Sequence, residues 1–407
     1  RLRWLFFVCV FVSSECGEGV VSSEPPVIRL SLFYILYFAL LGCIAPYWGL
    51  YLQDRDFSAG DIGLLMAGFG VVRVVAPNLW AALAPRFPSS LYMVRLAGLL
   101  TLICFAFIWW AESFSGVLAV MLGYGFFWAA MLPQYEAITL KALGNQIGQY
   151  SRIRVWGSVG FTGLVMLAGL LFDVFSVSVL PLIMILLMAA IVFNSWLIPA
   201  AAGVREGQAQ TQGFWQTLTR RPVLIFLLMT MLLQVSHGPY YTFFSIYLED
   251  LNYPSWLIGT LWAVGVLAEV VLFWQFRHLA ELLTLKHWCI LSLMLTTVRW
   301  VLIALVPENL FLLVIAQGIH AFSFGAMHVV AMRYIQVLFP APMQGQGQAL
   351  YSSLGFGLGT AIGAWLSGVL WEAAGGVIVY LLAAVVSVVA AVVVWRGFDV
   401  AQEKQPH

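Results

Sequence analysis

Charged residues are what this sequence has least of. Only 9% of its 407 residues are Asp, Glu, Lys or Arg, whereas 62% are hydrophobic, and the mean hydropathy is +0.94. Because a soluble domain carries about a quarter charged residues, a chain this poor in charge is expected to expose most of its surface to lipid. Its net charge of +1 also lacks the basic excess that nucleic-acid binding requires, so we expect no nucleic-acid partner.

Reactive groups are equally sparse. Of the five cysteines, three lie in apolar runs and two near the N-terminus, which does not predict a disulfide framework. The sequence has no pair of carboxylates beside a His metal triad, no Ser-His-Asp order and no phosphate-binding loop. It therefore argues against an enzyme, and we expect neither a cofactor nor a metal site.

Long apolar runs make up most of the chain. Runs of about 20 residues, the length of a membrane-crossing helix, recur on both sides of one polar stretch. We predict an all-α membrane protein with twelve transmembrane helices in two six-helix halves, residues 28–198 and 222–398, with a cytoplasmic linker at 199–221 and a cytoplasmic tail at 399–407. The predicted spans are 29–52, 60–83, 90–111, 116–140, 153–172, 177–198, 222–248, 255–276, 285–306, 309–335, 347–371 and 376–395.

The first 27 residues are a separate segment. Arg1-Leu-Arg is followed by WLFFVCVFV and then SSECGEG, which is the order of regions in a signal peptide. No Met occurs before Met66, however, and the first apolar run supplies its own insertion signal. We favour the interpretation that residues 1–27 are an extension upstream of a Val start such as Val20, Val21 or Val27.

Basic residues indicate the orientation of the chain in the membrane. By the positive-inside rule, the loops that hold them face the cytoplasm, which places both ends of the twelve-helix core there. The basic loops carry Arg86, Lys141, Arg152, Arg205, Arg220, Arg221, Arg277 and Lys286. The opposite loops carry Arg55 together with Asp54, Asp56, Asp61, Glu112, Asp173, Glu249, Asp250, Glu308 and Glu372.

The two halves repeat each other with an offset of 196 residues. The segment YLQD at 51–54 recurs as YLED at 247–250, and Ile62-Gly63 recurs as Ile258-Gly259. The same offset aligns Phe126 with Phe322, far along the chain, so the match is not confined to one loop. Parallel six-helix repeats that hold a substrate between them are typical of the major facilitator fold.

Charged and titratable side chains inside the spans are the candidate functional residues. Each ionised group at mid-depth costs about 2.5–3.5 kcal/mol on insertion scales, so it needs a partner, a cavity or a role. The candidates in this sequence are Arg73, Glu136, Arg154, His237, Glu269, Arg299, His320, His328 and Arg333.

Glu269, His320 and Arg299 are expected about 20, 16 and 10 Å, respectively, down their spans in the second half, with His320 able to bridge the other two. A desolvated carboxyl resists ionisation while a neighbouring cation favours it, which gives such a group the two states of a proton carrier. We therefore predict proton coupling at Glu269; the alternative is a static ion pair between Glu269 and Arg299. The repeat places Arg73 where the second half has Glu269, a fixed cation against a group that can switch.

Glu136 and Arg154 are expected near the cytoplasmic end of the first half, where they are able to pair across the turn between the fourth and fifth spans. Arg154 is either a substrate or gate cation or an anchor at the membrane surface. Aromatic residues crowd the first and seventh spans, and aromatic walls beside one or two cations suit a small aromatic acid or a heterocycle.

Several segments resemble the 3-phenylpropionate permease family, which is related to the lactose and nucleoside proton symporters. They include Gln234-Val-Ser-His237-Gly-Pro-Tyr240-Tyr241, Gly265 through Glu269-Val270, and His328-Val-Val-Ala-Met-Arg333 in the second half, with Arg154-Val-Trp-Gly-Ser158 in the first. The likeness covers residues 28 to about 398. It implies a monomeric major facilitator protein of a bacterial inner membrane that moves a small solute together with protons.

The resemblance also implies roles for individual residues. Glu269, Arg299 and His320 match the groups that carry proton coupling in lactose permease, but Ser323 and Phe324 stand where the related tenth helix has a further acid. Arg73, Glu136 and His328 are candidate gating charges. The positions that match substrate contacts in the nucleoside symporters, or lie beside them, are Arg154, Ser158, Phe161, Gln234, His237, Tyr241 and Phe324.

The expected function is import of a small organic solute by proton symport, with an aromatic carboxylate such as 3-phenylpropionate as the first candidate. Nucleoside or sugar symport is the alternative within transport. A transport-inactive sensor or receptor is the alternative of another class, and it would tolerate loss of the Glu269 charge.

Overall fold

The computed structural model describes residues 27–198 and 213–398. Within these ranges the chain folds into helices joined by short turns, without a strand, as the apolar runs predict. The predicted N-terminal extension up to residue 26, residues 199–212 of the predicted linker, and the predicted tail at 399–407 lie outside the described residues.

The first half consists of six helices, and serine residues set the starts of three of them. Ser58, Ser89 and Ser113 each accept a hydrogen bond from a backbone N–H of the following turn, so the second, third and fourth helices begin at N-caps. The helices are α1 Val27–Asp54, α2 Ala59–Leu83, α3 Ser90–Ala106, α4 Phe114–Leu143, α5 Tyr150–Phe175 and α6 Leu180–Leu197.

The second half also has six spans, but three of its helices are interrupted. The first, Arg221–Asp250, breaks at His237, just before Gly238 and Pro239, because Pro has no N–H to continue the helix. The fourth contains a π-helical segment, Ala321–Ala326, and the fifth another, Ser352–Gly359. We number the helices α7 Arg221–Asp250, α8 Ser255–Leu279, α9 Leu285–Leu305, α10 Leu310–Leu338, α11 344–374 and α12 376–397.

Membrane-crossing length and hydropathy are found in every one of these elements. Eleven described stretches are long and apolar enough to span a bilayer, and the last, Ala341–Gly397, has 57 residues, enough for two crossings. Gly375 divides it with φ of 76°, a conformation that ends one helix and starts another. The predicted twelve spans are therefore confirmed for the described part of the chain.

The internal repeat is visible in the backbone. Helices α2 and α8 start and end 196 residues apart. The turns that precede them contain Asp56 and Asn252, also 196 apart, each with φ of 61°. Two non-glycine residues in the same left-handed conformation at equivalent places confirm that the halves are structural copies.

Two carboxylates join the halves on the side of the acidic loops. Asp173, near the end of α5, accepts hydrogen bonds from the backbone N–H groups of Ser255 (2.7 Å) and Trp256 (3.2 Å) at the start of α8. Glu372, near the end of α11, accepts one from the N–H of Gly60 (2.7 Å) at the start of α2. Each carboxylate thus compensates the unpaired N–H groups of a helix that belongs to the other half.

Glycines bring these helices into backbone contact beside the carboxylates. A Cβ at Gly169 would lie 3.0 Å from Trp256 Cα, and a Cβ at Gly368 would lie 2.9 Å from Gly63 Cα, so neither position has room for a side chain. Gly169 and Gly368 are 199 residues apart, as are Asp173 and Glu372, so the two contacts are copies of each other. We call this pair of contacts the carboxylate seal.

We predict that Asp173→Asn combined with Glu372→Gln opens the carboxylate seal, because both substitutions remove the negative charge that faces a helix N-terminus. Distances between spin labels placed across the seal should gain a longer population. Glu112→Gln is the matched control, since Glu112 is exposed in the loop between α3 and α4. Unchanged distances in the double variant would show that glycine packing alone holds this side closed.

Candidate functional site

The candidate site lies between the halves, where side chains of both face one another. Tyr241 of α7 is within electrostatic range of Glu269 and Arg299 in its own half and of Arg73 in the first half. His328 of α10 is likewise within range of Arg154 on α5. We call the region bounded by these residues the central site.

Glu269 and His320 form a direct contact in the second half. His320 Nε2 lies 2.7 Å from Glu269 Oε1, and among the described residues this is the one pair of acidic and basic side chains within 4 Å of each other. Arg299 Nη1 lies 2.9 Å from the other ring nitrogen, His320 Nδ1. His320 therefore bridges the acid and the cation as expected, and the alternative of a direct Glu269–Arg299 ion pair is not what the structure shows.

The order of the three groups determines where the imidazole proton lies. A guanidinium carries only donors, so Arg299 donates to His320 Nδ1, which must offer a lone pair. The ring proton of the neutral imidazole is then on Nε2 and is donated to Glu269 Oε1. The second oxygen of Glu269 has no hydrogen bond among the described contacts and the side chain is 13% exposed, so it is able to gain or lose a proton without breaking this chain.

Arg299 is fully buried and held by neutral groups. Its guanidinium donates to Ser323 Oγ and to Gln317 Oε1, both at 3.3 Å, and lies over the ring of Tyr240 at 4.0 Å. Tyr240 donates to the same Gln317 oxygen at 3.0 Å. These contacts fix the cation without neutralising it, which leaves its charge to act on His320 and Glu269.

Small residues and an irregular helix position these groups. A Cβ at Gly265 would lie 3.2 Å from the His320 ring, so the absence of a side chain there lets α8 approach α10. The π-helical segment Ala321–Ala326 follows His320 directly. It brings His320, Phe324 and His328 into one column of rings, with centroids 5.6 and 6.4 Å apart.

Glu136 and Arg154, which the sequence allows to pair across a turn, do not form a direct ion pair in the structure. Glu136 Oε1 accepts a hydrogen bond from Tyr150 at 3.3 Å, while the Arg154 guanidinium lies 4.1 Å from the centre of the Phe38 ring. The Arg154 cation thus lies over an aromatic ring of α1, although it remains within electrostatic range of Glu136.

Arg73 is accessible and faces the interior of the protein. Val71 and Val75 on the same helix are 47% and 48% exposed and lie about 200° around the helix axis from Arg73, so they mark the outer face. The groups within electrostatic range of Arg73 are the phenols of Tyr37, Tyr124 and Tyr241.

The residues that the resemblance assigns to substrate binding differ in their exposure. Arg154, Ser158, Tyr241 and Phe324 are partly accessible, as are the gating candidates Glu136 and His328. Phe161, Gln234 and His237 are 8%, 4% and 0% exposed, respectively. The last two lie inside the second half in this conformation, where His237 Nδ1 donates to the carbonyl of Leu233 at 2.8 Å.

Three polar residues that sequence reasoning did not assign also belong to this region. Gln317 holds Arg299, Tyr150 holds Glu136, and the Tyr351 hydroxyl lies 3.1 Å from His328 Nδ1. Gln317 was recognisable in principle, because it precedes His320 by three residues and so shares its helix face. The two tyrosines carry no comparable signal, since aromatic residues are common at helix interfaces.

Comparison with known proteins decides the family. The sequence model of the MFS_1 like family matches residues 27–382, which is most of the chain. The chain belongs to the MFS_1 like family. Its relatives within curated proteins include the "Probable 3-phenylpropionic acid transporter" of Escherichia coli, 29% identical over 366 residues that cover 88% of this chain and 94% of that protein. The maltose permease of Geobacillus stearothermophilus is 26% identical over 82% of this chain and 86% of that protein.

The fold comparison agrees with this assignment. A crystal structure of a mutant of the nucleoside transporter NupG superposes with a TM-score of 0.84, at 19% identity, over 92% of this chain and 100% of that one. The likeness shows the major facilitator fold. Because the relatives that match nearly the full length are transporters, this MFS_1 like protein is a multi-pass membrane transporter of a small molecule and not an enzyme.

We predict that Gln317→Leu destabilises this MFS_1 like protein by about 1–3 kcal/mol, because Arg299 and Tyr240 both lose a buried acceptor. Thermal unfolding in detergent should show a lower midpoint. Val314→Leu, an exposed position one turn earlier on α10, is the control and should shift the midpoint little. Equal midpoints for Gln317→Leu and the parent protein would mean that Gln317 does not hold Arg299.

Proposed function

We propose that this transporter is a proton symporter that imports a small aromatic carboxylate, such as 3-phenylpropionate, across a bacterial inner membrane. The observation that carries the proposal is the chain of contacts from Arg299 through His320 to Glu269. It joins a fixed cation to a carboxyl that has one free oxygen and is partly accessible between the two halves.

Protonation of Glu269 changes the charge of the second half. With Glu269 ionised, its charge and that of Arg299 compensate each other through His320; with Glu269 protonated, Arg299 remains as an uncompensated cation. An anionic solute in the central site restores the balance. Binding of the proton and of the solute therefore favour each other, which is the requirement for symport.

The substrate class is supported by the charge and the aromatic content of the central site. Cationic side chains of the first half lie within electrostatic range of Tyr241 and His328, and the rings of Tyr241 and Phe324 are partly accessible. A relative named for 3-phenylpropionic acid transport covers most of the chain. An aromatic acid offers both the ring and the negative charge that such a site accommodates.

Sugar or nucleoside symport is the second candidate. The maltose permease relative favours a sugar, and the NupG structure shares the fold. Gln234 and His237, the polar residues that match nucleoside contacts, would have to become accessible in another conformation, since both are buried here.

Orientation and oligomeric state are part of the same proposal. The positive-inside rule places the basic loops in the cytoplasm, so the carboxylate seal is periplasmic and the central site opens inward. Both ends of the twelve-helix core are then cytoplasmic. The site is formed within a single chain, so we propose that a monomer transports.

We predict that Glu269→Gln abolishes accumulation driven by a proton gradient while exchange of solute continues, because an amide cannot take up and release the proton. The measurement is uptake and counterflow of labelled solute in proteoliposomes. Accumulation should fall by about tenfold or more, as for the loss of an essential proton-transfer group.

Glu249→Gln is the matched control for this variant, since Glu249 is an exposed acid at the end of α7. Undiminished accumulation in Glu269→Gln would sink the coupling proposal. A chain that shows no counterflow with any solute, in the parent protein and both variants, would instead be the sensor or receptor.

We predict that labelled 3-phenylpropionate is taken up by cells that express this chain and that a protonophore abolishes the accumulation. The screen should include uridine and maltose as representatives of the second candidate. Preferential protonophore-sensitive uptake of either would reject the aromatic acid and retain the symporter.

A further inference from the structure

Basic side chains outnumber acidic ones at the central site. Three arginines, Arg73, Arg154 and Arg299, face two acids, Glu136 and Glu269, in this part of the described structure. The acids account for two of the cations, since Glu136 is within electrostatic range of Arg154 and Glu269 of Arg299. The groups that act electrostatically on Arg73 are the phenols of Tyr37, Tyr124 and Tyr241, and no acid is among them.

An uncompensated guanidinium at this depth is costly. Arg73 lies 14 residues from the first residue of α2, about 21 Å along a helix of 25 residues, which places it well inside the membrane. No described carboxylate lies within 4 Å of it. Such a cation requires either water or an anion, and its accessible side chain is able to receive one.

Two polar groups on α4 lack partners in the described structure. The Tyr124 hydroxyl and the Trp128 indole N–H are buried without a hydrogen bond, and their residues are only 3% and 5% exposed. Their rings stack at 5.8 Å, and Tyr124 is one of the phenols within range of Arg73. Buried donors without acceptors are rare in native proteins and require a partner, either water or a bound group.

The repeat relates this arrangement to the proton site. An offset of 196 residues places Arg73 on Glu269 and Tyr124 on His320. The first half therefore presents a cation and a phenol at the positions where the second half has a carboxyl and an imidazole in contact. Tyr241 is within electrostatic range of both Arg73 and Glu269, so the two arrangements face one another across the central site.

We propose that Arg73 is the anion-binding residue of the transport site and takes the carboxylate of the aromatic acid. Tyr124 and Trp128, which are buried in this conformation, act as additional donors once the site rearranges around the solute. The inference rests on the proposed function, because it assigns the solute's charged group to one residue. Solute anion and proton then bind at equivalent places in opposite halves. Arg154, which lies within electrostatic range of Glu136, is not the residue that binds the carboxylate in this proposal.

The test is binding of 3-phenylpropionate and of its neutral analogue 3-phenylpropionamide to the purified full chain, followed by tryptophan fluorescence. Arg73→Gln should lower the affinity for the acid by roughly 10- to 100-fold and leave that for the amide nearly unchanged, because only the acid forms a charge-assisted pair. Arg154→Gln should preserve the ratio of acid to amide affinity. Melting temperature and elution volume establish that each variant is folded.

Tyr124→Phe keeps the ring and removes only the donor, so it tests the same inference if Arg73→Gln does not fold. It should weaken acid binding by roughly 3- to 10-fold, and more than it weakens amide binding. If Arg73→Gln folds and binds the acid as tightly as the parent protein, the inference is overturned and the proposed function stands. The same holds for Tyr124→Phe if Arg73→Gln does not fold. A parent protein that binds neither compound rejects the proposed substrate class, and the inference with it.

Discussion

A charged side chain inside a membrane needs a compensating charge, and each half of this transporter has one acid within electrostatic range of one of its arginines. Arg299 is fully buried and surrounded by neutral groups, so its nearest compensation runs through the His320 ring to Glu269. Protonation of the Glu269 carboxyl alone would therefore change the net charge of the whole site. The close approach at Gly265 and the π-helical segment after His320 position the central member of this chain of contacts.

The duplicated architecture gives each half the same backbone and a different chemistry. Equivalent turns at Asp56 and Asn252 and equivalent contacts in the carboxylate seal show that the frame has stayed symmetric. The side chains that face the interior are not symmetric, because Arg73 in one copy corresponds to Glu269 in the other. The halves meet through paired helix-end contacts, with the central site between them. In the major facilitator fold, alternating access is a rocking of one half against the other around such a site.

Sequence reasoning reached the fold and part of the site. The twelve spans and the repeat follow from apolar length and from an offset of 196 residues, which are properties of single segments or of a self-comparison. The bridge at His320 followed from depth along neighbouring helices. The contacts that Glu136 and Arg154 make instead, with Tyr150 and with the Phe38 ring, did not follow from the sequence, because they depend on side chains of other helices. Gln317, Tyr150 and the burial of Gln234 and His237 depend likewise on packing between helices, which one sequence does not specify.

Proton movement that accompanies solute entry tests the central claim most directly. Proteoliposomes without an imposed gradient, in weak buffer near neutral pH, are given 3-phenylpropionate while the external pH is recorded. Our account predicts that the external medium becomes more alkaline as solute enters through the parent protein, and that this change disappears in Glu269→Gln while labelled exchange persists. An equal pH change in both proteins, or solute entry through the parent protein without any pH change, would contradict it.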